Sequence, residues 1–255
     1  MNIRRKAVLI LLLLSFCSCA RPAPGATVRV LFIGNSFTSA NDLPALLAGV
    51  AASLGDKIEA DSLAPGGYGF EQHARDAATR TLIGSKEWDF VVLQEQSQRP
   101  ALPEFQVAAE VIPYALQLDK LVRTLPASAK TVFFETWGRR DGDRDNCRNI
   151  PEVCTYEGMQ RRLSATYADL AVKTGGLLAP VGTAWKGVRA AHPEIELYSG
   201  DGIHPSKEGS YLAACVFYSV LFGKSPVGAA DLGLGVKQAS ILQKAAAASV
   251  LPPGH

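Results

Sequence analysis

Val28-Arg29-Val30-Leu31-Phe32-Ile33-Gly34-Asn35-Ser36-Phe37-Thr38 is the stretch on which the fold turns. Val28 to Ile33 is a short apolar run rich in β-branched residues and bounded by Gly34, the pattern of a strand covered on both faces. A helix follows over Leu43 to Leu54. Asn41 or Asp42 can cap it, Pro44 suits its first turn, and Leu43, Leu46, Leu47, Val50 and Leu54 make one apolar stripe. A buried strand that turns directly into an amphipathic helix is the repeating unit of a parallel α/β sheet.

The alternation continues along the chain. The pattern predicts further strands over Lys57 to Leu63, Asp89 to Leu93, Thr131 to Glu135 and Gly176 to Val181. It predicts further helices over Glu71 to Arg80, Glu104 to Leu125, Tyr156 to Thr174, Ser206 to Leu221 and Val236 to Ser249. A chain of 255 residues, 47% apolar and 20% charged, can bury one such sheet between two helical layers. In open parallel sheets ligands bind beyond the carboxyl ends of the strands, so chemistry is expected in the loops there.

Those loops carry suggestive residues. Ser36 stands just past the first strand, where its hydroxyl and the amides around it would face the sheet edge. Asp201-Gly202-Ile203-His204-Pro205 holds an aspartate three residues before a histidine on a backbone limited by Gly200, Gly202 and Pro205. A serine hydroxyl becomes a nucleophile when an imidazole accepts its proton and a carboxylate orients that imidazole. Gly66 and Gly67, in the loop after the second strand, allow a backbone N–H to approach a developing oxyanion closely. Gln94-Glu95-Gln96-Ser97-Gln98 follows the third strand and offers side-chain amides for the same task. Any one of these is an ordinary loop residue when taken alone; four loops in one order at one sheet edge make a coherent site.

At this point the chain resembles the SGNH (GDSL-like) hydrolase superfamily over about Val28 to Leu221. Gly34-Asn35-Ser36-Phe37-Thr38 is similar to its first block, Gly66 or Gly67 to the glycine of its second, and Asp201-x-x-His204 to its last. The resemblance implies a three-layer α/β/α sandwich on a five-stranded, flavodoxin-like parallel sheet. It also implies a Ser36–His204–Asp201 triad and an oxyanion hole from the amides of Ser36 and the Gly66/Gly67 loop. The third block departs: Gln94-Glu95-Gln96-Ser97 stands where the family has Gly-x-Asn-Asp, and Gln94, nearest the strand, is the preferred substitute donor, with Gln96 second. Exported members of the superfamily often deacetylate carbohydrates, so an acylated glycan or other small ester is the expected substrate. An acyltransferase with the same triad and a non-catalytic glycan-binding protein are the alternatives. No metal or organic cofactor is expected.

The first residues set the compartment. Arg4, Arg5 and Lys6 precede the apolar run Ala7 to Leu14, which is too short to span a bilayer and fits an export signal. Residues 1–18 are expected to be a signal peptide, 19–27 a tether and 28–250 the folded domain. Cys19, with Phe16-Cys17-Ser18 before it, resembles the acylated cysteine of a bacterial lipoprotein, implying attachment to the cell envelope, with ordinary cleavage and release to the periplasm or medium as the alternative. Residues 1–18 hold three of the 26 basic residues and none of the 24 acidic ones, so the formal charge falls from +2 to −1. No basic block remains to bind nucleic acid. Cys147 and Cys154 are expected to close a disulfide loop along one wall of the cleft, and Cys215 to be a core thiol. His73 is expected on a solvated helix face, with the cleft border as the other reading. Trp137 is expected either to line the cleft as a sugar-stacking surface or to pack at the sheet edge. His192 and His255 show no partner.

Overall fold

The computed structural model describes residues 25–125 and 129–252. The expected signal peptide, Cys17, Cys19 and most of the expected tether lie outside the described residues, as does His255.

Five strands, β1 (Thr27–Ile33), β2 (Lys57–Leu63), β3 (Phe90–Leu93), β4 (Lys130–Phe134) and β5 (Leu177–Ala179), form one sheet in the order β2-β1-β3-β4-β5. All neighbouring pairs are parallel. Ile33 lies level with Leu63 on one side and Leu93 on the other, and Leu93 with Phe133. Four carboxyl ends therefore open onto one edge.

Alternate residues of the central strands supply two cores. Val30, Phe32, Val92, Val132 and Phe134 belong to one apolar cluster, with side chains of α2 (Leu43–Ser53), α8 (Val181–Ala191), α9 (Lys207–Phe222) and α10 (Val236–Val250). Leu31, Ile33, Val91, Leu93 and Phe133 belong to the other, with α3 (Phe70–Arg75), α4 (Ala77–Ile83), α6 (Ile112–Arg123) and α7 (Tyr156–Thr174). This is the three-layer α/β/α sandwich expected from the sequence. A period of two puts successive side chains on opposite faces, so a strand covered on both sides reads as continuously apolar.

Several boundaries differ from the sequence expectation. The helix over Glu71 to Arg80 is two, α3 and α4, because Asp76 takes extended geometry (ψ 125°) and its carboxylate caps Ala78 N–H. The helix over Glu104 to Leu125 is broken at Val111 into α5 (Glu104–Glu110) and α6, with Pro113 in the first turn of the second. A proline there lacks the N–H that a continuous helix would need. Two helices were not expected: the short α1 (Ser36–Ser39), and α8, which begins as soon as Pro180 ends the brief β5.

Candidate active site at the carboxyl edge of the sheet

Ser36 is the first residue of α1. Asn35 before it is extended (φ −143°, ψ −152°), and its Oδ1 accepts the Phe37 N–H at 3.1 Å, which is an N-cap. The half-buried Ser36 Oγ lies 2.9 Å from His204 Nε2. His204 Nδ1 lies 2.5 Å from Asp201 Oδ2. A carboxylate only accepts, so Nδ1 carries the ring proton and Nε2 turns its lone pair to the serine hydroxyl.

The loop that holds this pair is tightly fixed. Tyr198 bridges to Pro205 in antiparallel fashion, and Ser199 N–H donates to His204 O at 2.8 Å. Gly202 closes the turn with φ +69°, a conformation that L side chains seldom adopt. Asp201 Oδ1 accepts from Ser199 Oγ (2.8 Å), Ile203 N–H (2.9 Å) and His204 N–H (3.0 Å). Desolvation works against the charge, yet the bonds from the His204 ring, the two amides and Ser199 hold this carboxyl well below the ordinary aspartate range.

Trp137, after β4, supports the loop from beneath. Its Nε1–H donates to Ile203 O at 3.0 Å, and its ring is stacked between Phe37 (4.6 Å) and Trp185 (4.0 Å). Phe37 meets the His204 ring edge-on at 5.6 Å. Trp137 is 1% exposed, so of its two readings the packed aromatic is the observed one. It is not available to stack against a sugar.

Gln94 is a correction. Its Oε1 accepts from Asn35 N–H and Thr38 Oγ1, both at 3.0 Å, while Nε2 donates to Asn35 Oδ1 (2.8 Å) and Glu95 O (2.6 Å). With 0% exposure and both amide protons spent, Gln94 fastens the Ser36 turn from below and has no donor left for a ligand. Gln96 differs. It is half-buried, its Oε1 caps Gln98 N–H (2.8 Å), and its Nε2 makes only long contacts, 3.2 Å to Gln98 Oε1 and 3.5 Å to Ser97 Oγ. Gly66 and Gly67 are exposed at the middle of a turn closed by Tyr68 N–H to Pro65 O at 3.2 Å. Asn35 Nδ2 donates to Tyr68 O at 2.7 Å and so ties that turn to the Ser36 loop.

Two further residues, His73 and Glu95, hold the loops of the site. His73 is buried, not solvated: Nε2–H donates to Gly34 O (2.8 Å) and Nδ1 faces Thr79 Oγ1 (3.0 Å). Burial pushes its pKa down, in keeping with a neutral ring. Glu95, fully buried, accepts Phe70 N–H on Oε2 (2.9 Å) and Gln96 N–H on Oε1 (2.7 Å), joining the loop after β2 to the loop after β3. Burial raises its pKa to about 7 against the pull of those two amides and Arg99. Nothing in the spacing of either residue marks it out; each acts through a contact distant in sequence.

Cys147 and Cys154 form a disulfide, and the buried Asp143, four residues before it and bonded through its N–H to Val153 O (2.7 Å), accepts from Gln98 Nε2 (2.8 Å) and Arg139 Nη1 (3.2 Å). Cys215 is a buried free thiol, its pKa pushed up to about 12 by desolvation. Among the described residues no group of three or more His, Cys, Asp or Glu is placed to hold a metal ion, and no helix is long and apolar enough to cross a membrane.

Comparison with known proteins agrees with this architecture. No protein-family model and no curated protein matches the chain. Among solved structures, a protein of Slackia heliotrinireducens assigned as an SGNH hydrolase is 31% identical, over 77% of this chain and 100% of that one, with a TM-score of 0.63. A DUF4886 family protein from Bacteroides uniformis has a TM-score of 0.77 at 18% identity, covering 90% of this chain and 97% of that one. An acetyl xylan esterase shares the fold at a TM-score of 0.50 and 17% identity, over 75% and 98% of the two chains. The chain belongs to the SGNH (GDSL-like) hydrolases. That family is one of hydrolases.

Proposed function

We propose that this protein is an exported serine esterase in which Ser36 attacks the ester carbonyl, His204 takes its proton and Asp201 holds the imidazole in the required tautomer. The reading rests on one observation, the chain of contacts from Ser36 Oγ to His204 Nε2 (2.9 Å) and from His204 Nδ1 to Asp201 Oδ2 (2.5 Å). The acyl-enzyme forms as His204 returns the proton to the departing alcohol, and water, activated by the same imidazole, then releases the acid. A fluorophosphonate probe should label Ser36 alone, read by peptide mass spectrometry. Absence of label on Ser36 in folded protein would sink the assignment.

The oxyanion donors proposed are the amide of Ser36, an amide of the Gly66/Gly67 turn and Nε2 of Gln96. The loosely engaged Nε2 of Gln96 favours it over the saturated Gln94. Gln96→Ala is expected to lower kcat by about 10²–10³-fold with little change in KM, the usual loss for one oxyanion donor. An unchanged kcat would remove Gln96 from the mechanism.

Acetyl groups on a carbohydrate are the proposed substrate, in line with the fold shared with an acetyl xylan esterase. Acetate release from acetylated xylan, against p-nitrophenyl acetate as reference, tests it. Export is supported by the basic and apolar leader and by the Cys147–Cys154 disulfide, a bond that persists in oxidising compartments. Intact mass of the protein recovered from cell envelopes should give a mature chain starting at a diacylated Cys19. An unprocessed Met1 would overturn the lipoprotein reading.

A further inference from the structure

Beside the loop that carries His204 lies a cavity of about 220 Å3, bordered by Arg140, Arg189, Glu196 and Tyr198. Arg140 N–H donates to Gly202 O at 2.8 Å, and its guanidinium covers Gly202, where a Cβ would meet it at 3.1–3.2 Å. Gly202 is the neighbour of Asp201 and two residues from His204. Arg140 is paired with two carboxylates at the long end of the ion-pair range, 3.5 Å to Asp141 and 3.9 Å to Glu196.

Arg189, on α8, stands over two buried rings, 4.2 Å from the centroid of Tyr156 and 5.3 Å from that of Tyr198. Among the described residues no carboxylate comes within 4.0 Å of it. Tyr198 is itself fixed, its hydroxyl donating to Gly138 O at 2.6 Å. Glu196 brings one negative charge to the cavity, but its Oε1 is engaged by Tyr198 N–H at 2.9 Å. Two guanidinium groups thus line the cavity with one carboxylate, Glu196, and Arg189, which has no ion pair, is held in place by cation–π contact.

We propose that this cavity is a subsite for an oxyanion, a carboxylate or phosphate carried on the alcohol portion of the ester. This rests on the esterase reading above. In that reaction His204 hands the proton to the departing alkoxide, so the alcohol lies on the imidazole side, and Arg140 is bonded to the loop that carries that imidazole through Gly202 O. The volume is below the about 300–1,000 Å3 of sites that enclose a whole drug-sized ligand, and suits one charged group. A guanidinium presents its N–H groups in a fork that matches carboxylate and phosphate, and one held over tyrosine rings has less freedom to lose on binding.

The test compares kcat/KM for phenyl acetate, 4-acetoxybenzoate and 4-acetoxyphenyl phosphate, in wild type, Arg189→Met, Arg189→Lys and Arg140→Met. Arg189→Met is expected to lower the ratio of charged to neutral ester at least about tenfold, as loss of a charge-assisted hydrogen bond does. Arg189→Lys should recover part of it, and the anion giving the larger wild-type ratio identifies the group. Arg140→Met should lower the same ratio, and it decides the matter if Arg189→Met does not fold. Equal ratios in wild type and in the folded variants, with phenyl acetate still hydrolysed, overturn the subsite and leave the esterase reading standing. If wild type hydrolyses none of the three, the esterase reading fails. Calorimetric titration with D-glucuronate and with inorganic phosphate then decides the subsite: saturable binding lost in Arg189→Met upholds anion binding, and no binding overturns it.

Discussion

Ser36→Ala is expected to lower kcat for p-nitrophenyl acetate by about 10⁴-fold or more while the fold is retained. The serine hydroxyl has one side-chain partner, His204 Nε2, so its removal breaks no other side-chain bond of the site. Asn35 still caps Phe37, and the Phe37–Trp137–Trp185 stack is untouched. The residual rate comes from amides that still stabilise an oxyanion. Asp201→Asn is expected to lose about 10⁴-fold, because a side-chain amide facing Nδ1 favours the tautomer with the proton on Nε2, aimed at the serine. Residues that act as one unit are not additive, so Ser36→Ala/His204→Ala should be no slower than the slower single variant within about tenfold. Kinetics with thermal unfolding as the folding control reads all three. Ser36→Ala retaining a tenth of wild-type activity would exclude Ser36 as the nucleophile.

Why this pair of loops could be picked out from sequence, and the loop after β3 could not, has a physical basis. Asp201 and His204 are three residues apart in one turn, so their relation is local and the glycine and proline around them report it. Strands such as β3 and β4 announce themselves by continuous apolar character because both faces are covered. Nearness to the strand end recommends Gln94 in the sequence, yet that nearness puts it below the Ser36 turn, where Asn35, Thr38 and Glu95 O consume its polar atoms. Whether an amide's protons are already spent depends on residues about sixty positions away, which no spacing encodes. His73 has the same difficulty: in a helix as short as α3, a face that looks solvated in sequence lies against Gly34. The missed α8 is different, because Val181, Ala184, Trp185 and Val188 carry a helical stripe that was legible.

Glu95 should make stability fall as pH rises towards neutrality. Its carboxyl is raised to about 7, from a reference value of 4.5, by desolvation. Between those values the folded chain holds a proton that the unfolded chain has released, so stability declines across that window and levels off above it, by about 3 kcal/mol for this one group. Glu135, also raised by burial, adds a contribution of the same sign, and His73, lowered by burial, opposes it below about pH 6.5. Comparison with Glu95→Gln isolates Glu95. The glutamine puts an NH2 against either Phe70 N–H or Gln96 N–H, leaving a buried amide unpaired at a cost of about 1–3 kcal/mol at every pH. The variant is therefore expected to be less stable than wild type at pH 5 and to close the gap, or reverse it, by pH 8, measured by urea unfolding. Parallel stability curves for the two proteins would show that Glu95 does not titrate in this window. Gly69 tests the same clamp from the other side, because a Cβ there would fall 1.9 Å from Glu95 Oε1. Gly69→Ala must push the carboxylate off both amides, so it should destabilise by about 2–4 kcal/mol and slow kcat as the two loops part. Combined with Glu95→Ala, which vacates that space, the alanine at 69 should do much less additional harm, and full additivity in this cycle would place the strain elsewhere.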